Sequence, residues 1–370
     1  MKVYLVKPQQ SESGTIETLP KFEQLQLIED KDTRELKSIF ENNQKVAIIS
    51  ESSIANVLSN LPEESAKRKA IELFKDKFLF RKLIKEESFN IHKIHFQDIS
   101  KLKVRNKSVL KPLKGCFGTA VKIVDEYTNF ERLEKEIHQE LEKNGTVFSE
   151  NVLTSNEFIV EDFIEGEEYA VDMFYNSEGK PCIVNIFHHP IPKHQQYLHM
   201  IYYSSKNTFD EIYPLAKSFF EQLNEKINVL DFPMHCEFKR IDNKLIPIEI
   251  NPMRFGGMGL GNLTYYAFNI NPYQYFLENK EPDWTEIFQN VDEDLRFVYF
   301  IAYNSFSKDT KTNYPNIQKL KTKFTEIKLE QLFDYQKQLA FGIFCLQENE
   351  ENLNRLLQID FDDYFELITQ

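Results

Sequence analysis

The chain is 370 residues long and 41% hydrophobic, with 32 Phe and 17 Tyr, which is more apolar material than one core usually holds. A net charge of −13 excludes a surface built to track nucleic-acid phosphates, since that takes clustered Lys and Arg. The four cysteines are scattered without a CxxC pair, and no apolar run of about 18 residues is present, so the expectation is a reduced, cytoplasmic chain without a membrane span.

Residues 2–6 and 45–50 are short β-type runs, each followed by polar or helical sequence, as in a small α/β unit. Residues 63–87 have helical character, residues 92–104 are ambiguous, and residues 108–112 read as a strand stopped by Pro112. Thr128 with Glu131 forms a capping box ahead of a stripe of Phe130, Leu133, Ile137 and Leu141. Strands follow at 158–165, 168–175 and 181–188, and the turn chemistry at Gly166 and at 176–180 predicts hairpins between them. Asp210 is read as the cap of a second amphipathic helix carrying Ile212, Leu215, Phe219, Leu223 and Ile227. Residues 234–240 and 245–250 form a further hairpin across Asp242 and Asn243. Beyond residue 290 come a Phe/Tyr-rich run at 296–303, strands near Phe324 and Phe341, and a terminal amphipathic helix. The expected organisation is a small N-terminal α/β unit (1–70), two α+β units (71–165 and 166–290) and an accessory C-terminal segment (291–370).

Only 11 glycines occur, and Gly115, Gly118, Gly166, Gly256, Gly257, Gly259 and Gly261 gather in three segments. In the first, Lys111 ends a strand and precedes a loop with Gly115 and Gly118, where backbone N–H groups would meet phosphate oxygens while the lysine neutralises charge. The order is not that of a P-loop, and Cys116 reads as a small loop residue. In the second, an acidic strand end turns at Gly166 into a new strand. Backbone groups there would read an adenine edge and a carboxylate just beyond would accept ribose hydroxyls, the alternative being a solvated acidic hairpin.

The third segment carries most of the chemistry. The strand period of two puts Glu249 and Asn251 on one face, and Glu237 joins them from the neighbouring hairpin strand. Two carboxylates and an amide oxygen are the hard-oxygen set Mg²⁺ prefers, with phosphates completing the octahedron. Arg254 follows where a substrate carboxylate or a transferring phosphoryl group would lie. His235 and Lys239 share the Glu237 face, the first placed toward a γ-phosphate and the second otherwise a surface lysine. His188 and His189 are read as an edge pair with one ring packed and one solvated, acceptor orientation being the alternative.

Taken in order, residues 65–275 resemble the ATP-grasp superfamily, the group that includes D-alanine ligase and biotin carboxylase. The resemblance implies an α/β and α+β fold in which two α+β subdomains clasp ATP behind a small N-terminal domain. It implies phosphate contacts from Lys77, in the Lys75-Asp76-Lys77 run, and from Lys111 and the Gly115–Gly118 loop. Adenine would lie against Glu161, Phe163 and Ile164, with Glu168 at the ribose, and Glu237, Glu249 and Asn251 would hold Mg²⁺, with Mn²⁺ as an alternative. Arg254, one place beyond the family's usual arginine, and Lys111 take the catalytic roles. The implied activity joins a small-molecule carboxylate to an amine or thiol through an acyl phosphate, releasing ADP and phosphate, with an amino acid, peptide or small metabolite as substrate. No nucleic acid or membrane is involved, and a homodimer is left open. The rival readings are a regulatory ATP-binding module and a kinase-like phosphotransferase.

Overall fold

The computed structural model describes residues 2–8, 18–84, 90–115, 118–145 and 153–368. The first unit is a parallel sheet ordered β2-β1-β3, from β1 (Val3–Lys7), β2 (Leu25–Glu29) and β3 (Lys45–Ile48), with α1 (Thr33–Glu41) and α2 (Ile54–Asn60). Its strands are short apolar runs because both faces are covered.

Residues 63–87, read as helical, hold two helices, α3 (Ala66–Lys75) and α4 (Lys77–Ile84), with residues 85–87 outside the described residues. Asp76 makes the break, its Oδ1 accepting from the N–H groups of Phe78 and Leu79 at 3.0 and 2.9 Å. That cap fixes Lys77 in the first turn of α4.

A four-stranded antiparallel sheet, ordered β4-β7-β5-β6, follows from β4 (Ile91–His95), β5 (Ser108–Pro112), β6 (Lys122–Val124) and β7 (Glu157–Asp162). The helix α5 (Phe130–Gly145) covers it with the expected stripe of Leu133, Ile137 and Leu141. Its cap is Asn129, which accepts from the Arg132 N–H at 3.0 Å, while Thr128 is engaged with Asp125 in the preceding turn. The capping-box expectation is therefore one residue out.

The largest layer is an eight-stranded sheet ordered β12-β11-β8-β9-β10-β13-β16-β15. It comprises β8 (Glu167–Tyr175), β9 (Pro181–His189), β10 (Ile201–Ser204), β11 (Phe232–Ile241), β12 (Lys244–Pro252) and β13 (Leu295–Tyr303). Past the short β14 (Asn313–Pro315), the strands β15 (Glu326–Leu332) and β16 (Ala340–Asn349) close its far edge. The aromatic C-terminal residues thus extend this sheet. The chain ends in β17 (Phe365–Leu367), paired to β14, rather than in the expected helix, which is only Glu350–Leu356.

The junction at Gly166 is not a hairpin. β7 and β8 belong to different sheets, and residues 163–166 carry the chain from one to the other. Gly166 has φ +129°, and a Cβ there would sit 2.2 Å from the Arg240 carbonyl oxygen, so only glycine fits the crossing.

The long helix α6 (Lys206–Ile227) begins before Asp210, capped by Ser205, whose Oγ accepts from the Thr208 N–H at 3.2 Å. It packs Ile212, Ala216, Phe220 and Leu223 over the inward side chains of β11, Met234, Cys236 and Phe238. The alternate residues of β11, His235, Glu237 and Lys239, are left on the opposite face of the sheet.

Candidate functional site

That face is where the expected metal residues meet. Glu237 lies directly opposite Glu249 and His235 opposite Asn251 in the β11/β12 register, and on the other side His235 faces Asp172 and Lys239 faces Glu168 of β8. Two carboxylates across one strand pair repel each other. Burial, then the neighbouring Glu249 charge, pushes the Glu237 carboxyl up to about 7. Burial works most strongly against the Glu249 charge, but Lys77, 2.6 Å away, and Lys75 together outweigh it and hold that carboxyl below its usual range. Among the described residues no group of three His, Cys, Asp or Glu side chains is arranged to hold a metal. The fit to Mg²⁺ is nonetheless good: the pair supplies the negative charge and Asn251 an amide oxygen, and an ion that dehydrates reluctantly takes its remaining ligands from water and phosphate.

Arg254 enters the same space. Its Nη2 donates to Glu51 Oε1 at 2.8 Å and its Nη1 to the Phe255 carbonyl at 3.1 Å. Glu51 also receives Lys75 Nζ at 2.5 Å, so a residue of the N-terminal unit holds two cations. Burial alone would raise the Glu51 carboxyl, yet Lys75 and Arg254 bring it to about 2. A pocket of about 160 Å³ opens between these groups, lined by Gly118, Glu237, Glu249, Asn251 and Arg254 among others. Gly115 backs onto Lys77, whose Nζ would be 3.9 Å from a Cβ at that position. Cys116 lies outside the described residues.

The ATP-grasp domain family matches residues 104–262, the stretch that runs from β5 past the Glu249/Asn251 strand. The chain carries an ATP-grasp domain. Solved structures share its fold over nearly the whole length. An L-amino acid ligase from Bacillus licheniformis is 17% identical at TM-score 0.67, covering 100% of this chain and 99% of that one. N5-carboxyaminoimidazole synthetase from Staphylococcus aureus, complexed with ADP, is 11% identical at TM-score 0.57, covering 96% and 95%. The biotin carboxylase domain of 2-oxoglutarate carboxylase from Hydrogenobacter thermophilus, solved with MgADP, ADP and bicarbonate, is 12% identical at TM-score 0.57, covering 100% and 85%. No curated protein matches the sequence.

The crossing at residues 163–166 is arranged differently from the Glu237/Glu249 face. Lys111 reaches Glu161 at 2.5 Å, and Arg81 Nε reaches the same carboxylate at 2.8 Å. Burial opposes the Glu161 charge, but the two cations hold its carboxyl at about 2, while burial lowers Lys111. The Glu161 side chain therefore points at Lys111, and the crossing itself is left to the half-buried Phe163 and Ile164, with Lys107 Nζ 3.7 Å above the Phe163 ring. Glu168 is gripped by His189 Nδ1 at 2.6 Å and Lys239 Nζ at 3.2 Å. Burial resists its charge, but these partners bring its carboxyl to about 2. Lys239 is no free surface lysine, since it also donates to the Gly166 carbonyl at 3.2 Å.

Four residues of the candidate site escape the sequence reading. Asp172, fully buried, accepts from His235 Nδ1 at 2.7 Å through Oδ1 and from the Gly256 N–H at 3.1 Å through Oδ2. The period of two from Glu168 through Ala170 would have placed it on this face. Glu51 and Arg81 approach from distant sequence and left no local signal. His199 closes the far side, its Nδ1 3.1 Å from the Tyr202 hydroxyl. The His188–His189 expectation also changes. β9 is an inner strand, His188 stacks on Tyr169 with its Nδ1 2.7 Å from the Tyr203 hydroxyl, and His189 stacks on Tyr202, so neither ring is the solvated member of an edge pair.

Proposed function

We propose that the protein is an ATP-dependent carboxylate–amine ligase working through an acyl phosphate, with Mg²⁺ as the metal and Mn²⁺ a chemically similar substitute. The observation that carries this reading is the facing pair Glu237 and Glu249, raised and lowered in opposite directions, within one pocket with Arg254 and beside Lys77. Such a pair calls for a cation, and the neighbouring lysine and arginine call for phosphate and carboxylate anions. Adenine recognition alone needs none of these.

Lys77, Lys111 and the loop at Gly115 and Gly118 would hold the triphosphate. Glu237, Glu249 and Asn251 would hold Mg²⁺, which neutralises charge on the terminal phosphates. Phe163 and Ile164 would flank adenine with the backbone around Glu161, and Glu168, fixed as an anion, would accept the ribose hydroxyls. Arg254 would orient the substrate carboxylate. A carboxylate oxygen attacks the γ-phosphorus and ADP leaves. The amine nitrogen then attacks the acyl carbon, phosphate leaves with that carboxylate oxygen, and the amine proton passes to solvent. The chain's contribution is positioning and charge neutralisation.

Substrate carrying ¹⁸O in its carboxylate tests the reading. The expected result is ¹⁸O-phosphate formed in step with ADP and product. Label-free phosphate, or pyrophosphate as co-product, would exclude the acyl phosphate and leave an adenylating enzyme or a simple ATPase.

A further inference from the structure

The metal face does not end at Ala170. On the same eight-stranded sheet, Tyr202 of β10 pairs with Tyr299 of β13, and Ile301 stands two residues further along β13, so the three share one face. They belong to a single apolar cluster with Ala170, Phe187 and Leu260. A loop folds over them from the metal strand. Gly256 is tied down by Asp172, Met258 adopts φ +53°, and the Tyr299 hydroxyl donates to the Met258 carbonyl. The result is one pocket with Arg254 and Glu237 at its polar end and Tyr202, Tyr299, Ile301 and Leu260 at the other.

Three features limit what fits. The volume, about 160 Å³, is close to the roughly 150 Å³ of a cavity that accepts one benzene ring, the size of a single side chain. Of the three tyrosines at that end, Tyr202 engages His199 and Tyr299 engages Met258 through their hydroxyls, so beside Tyr303 the wall presents mostly carbon. Arg254 is the only lysine or arginine among the described lining residues, and it stands at the polar end beside Glu51. An acidic side chain would find no lysine or arginine against that wall, and a basic one would compete with the metal for Glu237 and Glu249.

We propose that the acid activated by this protein is a single small amino-acid-like carboxylate with an apolar side chain, its carboxylate at Arg254 and its side chain against Tyr202, Tyr299, Ile301 and Leu260. This rests on the ligase reading above.

Hydroxylamine separates the two ideas, because it traps an acyl phosphate as a hydroxamate whatever the natural amine. Intact protein, Mg·ATP and hydroxylamine are supplied with one acid at a time: leucine, methionine, phenylalanine, aspartate, lysine, a dipeptide or a ribonucleotide carboxylate. The expected result is hydroxamate from the apolar amino acids at a kcat/KM at least about tenfold above the others, one misplaced methylene already being worth that much. Ile301→Ala should move the preference toward larger side chains by about tenfold, with Ile301→Val, a milder change, moving it the same way by less. Hydroxamate mainly from charged, dipeptide or nucleotide acids, or unchanged selectivity in both variants, overturns the subsite while leaving the ligase reading standing. Hydroxamate from no acid overturns both.

Discussion

Asp172 shows how much of the site depends on groups that touch no ligand. One carboxylate fixes the His235 ring through Nδ1 and the glycine loop through the Gly256 N–H, so its two oxygens set both the His235/Glu237 face and the roof over the apolar wall. Asp172→Asn keeps the shape but turns one oxygen into a donor facing a donor. An activity loss of about 10- to 100-fold is expected, the range seen when groups that orient ligands are changed, with a higher Mg²⁺ requirement in the same titration. Wild-type kcat/KM at limiting Mg²⁺ would argue against this role. Glu249→Gln should abolish turnover with the fold retained by circular dichroism, and near-wild-type turnover would remove it from the metal set. The shared face of Glu237, Glu249 and Asn251 was legible in the sequence because a hairpin preserves the period of two across both strands. Glu51 was not legible, because nothing local to its Ser-rich surroundings marks a partner 203 residues away at Arg254.

At the scale of elements, sequence signals held where they were repeated and failed where one residue had to decide. The stripes of α5 and α6 were readable, since several apolar positions agree on one face, whereas both caps fell elsewhere, on Asn129 and Ser205. Cap residues are common in turns, so a lone Thr or Asp is ambiguous. Gly166 was readable as a turn but not as a crossing between sheets, because glycine reports backbone freedom and not the identity of the next neighbour. Its replacement tests the crossing directly. Gly166→Ala must either move the Arg240 carbonyl or abandon φ +129°, and a stability loss beyond about 1 kcal/mol is expected in urea titration. A loss no larger than a few tenths would mean that the crossing accommodates a side chain.

Across the whole molecule, buried carboxylates tie the units together. Glu51 joins the N-terminal unit to α3 and to Arg254, and Glu161 joins the four-stranded sheet to α4, whose Arg81 donates onward to the Pro247 carbonyl of β12. Both carboxyls titrate near 2 in the fold against 4.5 in the open chain, so the open chain binds more protons between those values. Stability is therefore complete above pH 4.5 and falls as the pH drops toward 2. Glu161→Gln should remove about one proton from the slope of stability against pH in that window, and at neutral pH it should cost about 3–5 kcal/mol because Lys111 and Arg81 lose a buried partner. An unaltered acid limb would show that the pair does not link the units.

The 2.6 Å contact between Lys77 and Glu249 gives the site the logic of a two-key lock. The two are partners, so a triphosphate arriving alone must draw Lys77 away from Glu249, and a divalent ion arriving alone must take Glu249 from Lys77. Arriving together, they exchange one internal ion pair for two external ones. Each should then tighten the binding of the other by the same factor, as reciprocity requires. In thermal scans Mg²⁺ or ATP separately should shift the midpoint little, while the two together should stabilise by about 2.7 kcal/mol at a hundredfold excess over the dissociation constant. Shifts that merely add would show that the pair opens at no cost. The same pairing would keep the pocket closed to stray phosphate esters and free divalent ions, so that charge recognition at this site discriminates by combination rather than by strength.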